Sequence, residues 1–330
     1  MKSKSITLII TYVLMIFCMK YVNARDLKVV TTLPSLASIT QSIGGDIIDV
    51  SSITRGAQDA HYVEAKPSYM LNLNKADLLI YSGLELEIGW LPLLIQGARN
   101  EEVTVGARGN LNASLAITTN EILEKPRGEV DRSMGDVHPM GNPHYLLNPH
   151  NAINVSRLIT EKLCELDPEH KIQFQENSDL FVQQLENKIR EFEKQAEYLK
   201  GQEVVCYHVH WSYFLDWLGI KSAGYIELRP GIPPTPKHKQ EIIDLIMEHH
   251  IKVVIISSWK EPSKAEEVAE STGAKLLILP GEVNAMEGAD DYFSWIKYLT
   301  THLIESLPVN LQINQLREQI RDQERKRGNQ

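Results

Sequence analysis

The chain has 330 residues, 43% of them hydrophobic and 23% charged, and a net charge of −9 at pH 7. Excess negative charge disfavours nucleic-acid binding, which we do not expect, and suits a protein that binds cations. Three cysteines are too few for a disulfide framework. The length and apolar content are sufficient for two hydrophobic cores.

Residues 1–24 predict a cleavable secretory signal peptide. Two lysines precede an apolar run over residues 6–19, and Val22 and Ala24 supply the small outer residues of a cleavage site. The run is shorter than the roughly 20 residues needed to span a bilayer, which disfavours an uncleaved anchor. Cys18 lies inside the run without the small residues that usually precede a lipidated cysteine, so a lipoprotein is also disfavoured. We expect a mature chain that starts at Arg25 and is soluble beyond the membrane.

Residues 25–168 predict an N-terminal α/β domain. Its candidate strands are short, rich in Val and Ile, and cover residues 27–33, 47–53, 77–82 and 103–105. Continuous apolar runs, without alternation, indicate strands buried on both faces and hence a parallel sheet. Pro34 is typical of a helix start directly after the first strand.

Residues 110–142 are polar and rich in Gly and Pro, and predict a long connecting loop. Loops of this length are usually functional or disordered. We expect this one to contribute to ligand capture and not to folding, because only its ends look anchored. It contains His138.

Residues 169–200 predict a linker helix. Residues 171–200 hold no Gly or Pro, and their apolar side chains recur every three or four positions. A helix of this length would span about 45 Å. We interpret it as a spine between two α/β halves; the alternative is a surface helix of one large domain, which the chain's size disfavours.

Residues 201–309 predict a C-terminal α/β domain of the same kind. The candidate strands are 203–207, 252–257 and 275–279, and the candidate helices are 213–218, 263–271 and 292–307. The proline-rich residues 229–236 predict a stiff loop. Residues 310–330 form a polar tail with little to bury, for which we expect fraying or disorder. The fold class is therefore two parallel-sheet domains flanked by helices and joined by one long helix.

Ligands of open parallel sheets bind beyond the carboxyl ends of the strands, and this rule separates the histidines. Those that follow a candidate strand or lie in the long loop are His61, His138, His144 and His208. Asp290 and Asp291 follow the last strand. By contrast, five histidines lie in candidate helices or at their ends and have no such placement: His170, His238, His249, His250 and His302.

Four segments resemble the metal-ligand motifs of the solute-binding proteins of ABC importers for zinc and manganese. DAHYVEAKPS places His61 at the ligand position of the first motif, and GNPHYLLNP places His144 at that of the second. HVHWSYFLDWLGI is similar to the third, where counting eleven residues back from Gly219 selects His208 and not His210. GADDYFSWIKYL resembles the fourth, in which an Asp two residues before a Tyr selects Asp290.

The resemblance implies a periplasmic, monomeric protein, not an enzyme, that binds a metal ion in the cleft between its halves and delivers it to a membrane permease. The implied ligands are His61, His144, His208 and Asp290. This sequence departs from the usual motifs: Asn142 and Asn148 replace two aspartates, Ala65 replaces a proline, the strand at 252–257 is not followed by the frequent glutamate, and one histidine stands in place of a His-rich loop.

Three imidazoles and one carboxylate suit tetrahedral Zn²⁺ and leave no open position for a reacting water. His208, at a position where relatives can carry glutamate, favours zinc over the harder manganese ion. Manganese or iron at the same site, or a metal-dependent surface adhesin, are the alternatives. A secreted zinc hydrolase is disfavoured, because no H-E-x-x-H motif or nucleophile elbow is present. We expect Glu64 to orient the imidazole of His61.

Overall fold

The computed structural model describes residues 26–125, 138–227 and 232–307. The predicted signal peptide and polar tail lie outside these ranges, as do parts of the two predicted loops. Within the described ranges, no helix is both long and apolar enough to cross a membrane.

The first half is a four-stranded parallel sheet with helices on its faces. Its strands are β1 (Leu27–Thr31), β2 (Ile48–Ser52), β3 (Leu78–Tyr81) and β4 (Asn110–Asn112), in the order β2-β1-β3-β4. Its helices are α1 (Pro34–Gly44), α2 (Pro67–Asn74), α3 (Leu91–Ala98) and α4 (Pro149–Leu166). Each of these four helices has proline in its first turn, where the missing N–H leaves no intrahelical bond unmade.

The second half repeats this topology. Its strands are β5 (Glu203–Cys206), β6 (Lys221–Tyr225), β7 (Val253–Ser257) and β8 (Lys275–Leu279), all parallel, in the order β6-β5-β7-β8. The helices are α6 (Ser212–Leu218), α7 (Pro236–Glu248), α8 (Ser263–Thr272) and α9 (Tyr292–Ser306). The predicted fold class is confirmed.

The long helix α5 (Lys171–Gln195) joins the halves, and a short 3-10 turn at Glu197–Leu199 completes the predicted spine. It is packed along its length: Phe174, Phe181 and Leu185 are buried. These side chains belong to one apolar cluster that extends from Val29 in the first half to Leu307 in the second. The helix therefore ties both halves into a continuous core, and each sheet buries its other face in a smaller cluster of its own.

Two strand predictions differ from the structure. Residues 103–105 are not a strand: Val103 ends a 3-10 turn and is buried, whereas Val105 is 79% exposed. The fourth strand is instead Asn110–Asn112, which pairs with β3 at the sheet edge. The structure also contains β6, for which no strand was predicted. Both are edge strands with few buried side chains, so neither has the continuous apolar run that marks a strand buried on both faces.

The prediction that the loop of residues 110–142 is anchored only at its ends is wrong for the described part of that loop. The main-chain N–H of Leu123 donates to the Tyr213 hydroxyl at 3.0 Å. Glu124 accepts hydrogen bonds from Ser212 at 2.6 Å and from Asn142 at 2.9 Å. Since Ser212 and Tyr213 belong to α6, the loop bridges to the second half.

Candidate metal centre

Five imidazoles gather where the carboxyl ends of the two sheets face each other. His61 follows β2, His138 and His144 follow β4, and His208 and His210 follow β5. The ring centroid of His61 is 5.1 Å from that of His138 and 5.2 Å from that of His144. The ring of His144 is in turn 4.1 Å from His210, so the contact crosses from one half to the other.

Asp59 orients His61. One carboxylate oxygen of Asp59 lies 2.7 Å from Nδ1 of His61 and accepts the main-chain N–H of His61 at 3.1 Å. Because an ionised carboxylate only accepts, Nδ1 donates in this bond, and Nε2 is the ring nitrogen that faces the other histidines. That Nε2 lies 3.1 Å from Nε2 of His138. The prediction that Glu64 has this role is wrong: its side chain is 82% exposed and faces Lys66 at 3.7 Å.

Asn142 positions His144 and explains one departure from the usual motif. Its side-chain oxygen accepts the main-chain N–H of His144 at 2.9 Å. Its amide group donates to Glu124 at 2.9 Å and to the carbonyl of Val209 at 3.0 Å. An aspartate could make the first of these bonds but neither of the others, because it has no donor. Asparagine thus holds His144 while joining the loop to the second half.

His208 and His210 are both buried but have different surroundings. Nδ1 of His208 lies 3.2 Å from Glu227, which follows β6. Nε2 of His210 donates to the carbonyl of Gly281 at 3.1 Å, and its ring contacts Trp259 edge-on at 5.1 Å. His210 is therefore held by a main-chain bond and an aromatic wall, whereas His208 faces a carboxylate.

Burial lowers the pKa of three of these imidazoles, those of His144, His208 and His210, and so favours their neutral form. Burial, followed by the neighbouring imidazoles of His210 and His61, lowers the pKa of His144 well below its usual value. Burial and then the charge of Lys260 lower the pKa of His208 well below its usual value, against a smaller opposing effect of Asp59. Burial also lowers the pKa of His210 to about 3. Neutral imidazole is the form that binds a metal ion, so these side chains need not lose a proton at neutral pH to become ligands.

The structure does not bring Asp290 to the imidazoles. Its exposed side chain lines a surface depression together with Ser38, Arg55 and Asn284, and no histidine lines that depression. Asp291 has a local role: it caps α9 by accepting the main-chain N–H of Ser294 at 2.7 Å. His61, His144 and His208 are therefore gathered at the cleft, and the fourth predicted ligand lies apart from them.

Three carboxylates that the sequence did not indicate as ligands lie near the histidines: Asp59, Glu227 and Glu282. Glu282 lines a small cavity with His144 and His210, and it accepts hydrogen bonds from the main chain and hydroxyl of Ser35 at 2.9 and 3.1 Å. Burial raises the pKa of Glu282 to about 7. Asp59 and Glu282 each follow a predicted strand, and that position in the sequence could have selected them. Glu227 follows β6, which has no continuous apolar run, so no such signal marks it in the sequence.

The side chains as they stand are neighbours and not a finished coordination shell. Among the described residues, no group of three or more His, Cys, Asp or Glu is arranged so that it could hold a metal ion. The two described cysteines do not contribute: Cys206 is a buried free thiol and Cys164 is a partly buried one.

Comparisons with known proteins point to one family. A family model described as zinc-uptake complex component A, periplasmic, matches residues 29–306. The metal ABC transporter substrate-binding lipoprotein SsaB of Streptococcus sanguinis is 24% identical over 293 residues, which cover 86% of this chain and 90% of that protein. The manganese ABC transporter substrate-binding lipoprotein PsaA of Streptococcus pneumoniae is 23% identical with the same coverage.

Solved structures share the fold. A crystal structure of ZnuA matches with a TM-score of 0.71 at 22% identity, covering 85% of this chain and 99% of that one. The laminin-binding adhesin Lmb of Streptococcus agalactiae matches with a TM-score of 0.70 at 25% identity, covering 86% and 100%. A manganese-bound periplasmic metal binding protein from Candidatus Liberibacter asiaticus matches with a TM-score of 0.69 at 21% identity, covering 85% and 99%.

Proposed function

The chain belongs to the family of the periplasmic component A of the zinc-uptake complex, and we propose that it captures a divalent transition metal ion, zinc in preference to manganese, and delivers it to the membrane permease of an ABC importer. The observation that carries this proposal is the gathering of imidazoles from both halves at one cleft. His61 and His144 have ring centroids 5.2 Å apart, and His208 is buried on the opposite side.

We propose that His61, His144 and His208 share the ion and that Asp290 supplies the fourth ligand, as the motifs imply. Asp290 would have to turn from its exposed position into the cleft. Glu227, which already faces His208 at 3.2 Å, is the carboxylate to test against it. Three imidazoles with one carboxylate form a closed tetrahedral set for Zn²⁺, which supports binding and delivery over catalysis.

The preference for zinc rests on ligand chemistry. Imidazole nitrogen suits zinc, whereas manganese is better served by oxygen ligands. Relatives named for manganese share the fold, so the preference must be measured. Protein purified without chelators should contain zinc, and Mn²⁺ should displace it only in large excess.

The proposed site is tested with His61→Ala, and His150→Ala is the matched control. His61 lies in the cleft, while His150 lies on the surface beside Glu193 at 3.1 Å. The first variant should lose bound metal and the second should retain it. Retention of stoichiometric metal by His61→Ala would contradict the proposed site, and equal affinity for both ions would contradict the zinc preference.

We further propose that the mature protein starts at Arg25 and acts in the periplasm as a monomer. The relatives named lipoproteins make acylation of Cys18 the competing possibility. The intact mass of the exported protein separates the two: cleavage after Ala24 gives an unmodified chain, whereas a lipoprotein would begin at an acylated cysteine. Laminin binding by the metal-loaded protein would favour the adhesin alternative.

A further inference from the structure

One ammonium group joins two carboxylates across the cleft. Nζ of Lys260 lies 3.6 Å from Asp59, in the first half, and 3.5 Å from Glu227, in the second. Only 18% of the Lys260 side chain is exposed, against 20% for Asp59 and 5% for Glu227. Because the three charges are largely shielded from water, their interactions are screened less than those of surface ion pairs.

Each of the two carboxylates also contacts a proposed metal ligand. Asp59 lies 2.7 Å from the ring of His61, and Glu227 lies 3.2 Å from the ring of His208. In space, a single carboxylate side chain therefore separates Lys260 from a proposed ligand on each side of the cleft. A positive charge at this position opposes the approach of a second cation.

The main chain fixes the position of Lys260. It follows β7 in a turn closed by its own N–H, which donates to the carbonyl of Ser257 at 3.0 Å. The preceding Trp259 packs against His210, and a side chain at Gly281 would collide with the Trp259 ring.

We propose that Lys260 is an internal counter-cation of the cleft, which links Asp59 to Glu227 in the metal-free protein and competes with the incoming divalent ion. This inference rests on the proposed function. Metal binding places two further positive charges beside these carboxylates, so it must weaken the contacts of Lys260. Lys260 thereby lowers metal affinity and speeds metal release.

The test compares Lys260→Met and Lys260→Gln with Lys260→Arg and with the wild type. Zinc affinity is measured by competition with a chromophoric chelator, and zinc release by stopped-flow transfer to excess chelator. The two neutral variants should bind zinc at least tenfold more tightly, about 1.4 kcal/mol, and release it more slowly. Arginine keeps the charge and should stay within about threefold of the wild type.

Lys239→Met is the matched control. Lys239 lies on α7 and pairs with Glu267 at 2.6 Å, so its removal also breaks a lysine–glutamate pair in the second half. Its zinc affinity should remain that of the wild type. In an Asp59→Asn background, the gain from Lys260→Met should shrink, because one of the two carboxylates through which Lys260 acts is then neutral.

Thermal melting separates a counter-cation from a merely structural lysine. Lys260→Met should melt below the wild type without zinc, and this difference should shrink or reverse with saturating zinc. Equal destabilisation in both states, with unchanged zinc affinity and release, overturns the inference and leaves the proposed function intact. If the wild type binds no divalent ion, the proposed function fails and the inference fails with it.

Discussion

The two sheets have the same strand order but carry different chemistry at equivalent positions. In each half the first and third strands are neighbours at the centre of the sheet, and the remaining two strands lie on opposite sides of this pair. Ligands of such folds bind in the crevice beyond the carboxyl ends of the two central strands. In the first half, Glu87 fills it and accepts hydrogen bonds from the Thr32 hydroxyl at 2.6 Å and from the N–H groups of Ser82 and Gly83 at 2.7 and 3.1 Å. In the second half, His208 and Lys260 occupy it.

The difference distinguishes a carboxylate with a structural role, Glu87, from a carboxylate in the cleft, Glu227. Glu87 is 3% exposed, and its bonds tie the ends of β1 and β3 together. Glu227 is equally buried, but its neighbours are an imidazole and an ammonium that belong to the cleft. One topology thus places a carboxylate held by main-chain and hydroxyl donors at the first crevice, and an imidazole with an ammonium group at the second.

The largest expected effect concerns the ligands of the cleft. A ligand that binds only the native state stabilises it by about 4 kcal/mol at a thousandfold excess over Kd. His144→Ala and His208→Ala should each remove most of this gain, as measured by denaturant unfolding with and without zinc. His210→Ala should keep most of it. The reverse result for His208 and His210 would move the third ligand by two residues.

Glu87→Ala tests the structural role of the first crevice. It removes the carboxylate that accepts from the buried Thr32 hydroxyl and from the N–H groups of Ser82 and Gly83, and the Ser82 N–H keeps only a longer bond to the Thr32 hydroxyl at 3.3 Å. The free energy of unfolding of the metal-free protein should therefore fall by about 3 kcal/mol. Zinc affinity of the folded protein should change less than about twofold. Glu101→Gln, at an exposed position of the same half, is the control and should leave both quantities unchanged.

The loop that bridges the halves provides a smaller test. Glu124→Ala removes hydrogen bonds to Ser212, Tyr225 and Asn142. With about 0.5–1.5 kcal/mol for each bond, and one of them long at 3.3 Å, we expect a loss of about 2 kcal/mol in unfolding free energy. Unchanged stability would restore the original expectation that the loop is anchored only at its ends.

The smallest expected effect is a pH dependence. The pKa of His210 is about 3 in the folded protein, below the usual value of about 6.5, so the unfolded chain binds the extra proton between these values. Its contribution to stability is therefore complete above about pH 6.5 and falls on acidification towards pH 3, by about 1 kcal/mol per pH unit.

Glu282 and Glu87, whose pKa values burial raises, give slopes of opposite sign. The comparison must therefore be made between the wild type and His210→Gln in metal-free denaturant titrations at pH 6.5 and 5. The variant should lose less stability on acidification than the wild type. Parallel pH profiles would show that the His210 imidazole is not kept neutral.

The sequence predicts those parts of the fold and site that depend on local pattern. Buried strands such as Val253–Ser257 have continuous apolar runs, and His61 and His144 lie in recognisable motifs. The edge strand Asn110–Asn112 has one buried residue and gives no such signal. The contact between Asp59 and Lys260 joins residues far apart in the chain, so it arises only when the two sheets face each other.

The most direct measurement is the anomalous diffraction of crystals grown with zinc, recorded on both sides of the zinc absorption edge. We predict one strong peak in the cleft, within about 2.0–2.2 Å of ring nitrogens of His61, His144 and His208 and of one carboxylate oxygen. The identity of that carboxylate decides between Asp290 and Glu227. A peak coordinated by residues of only one half, or the absence of a cleft peak at full zinc loading, would contradict metal capture between the two halves.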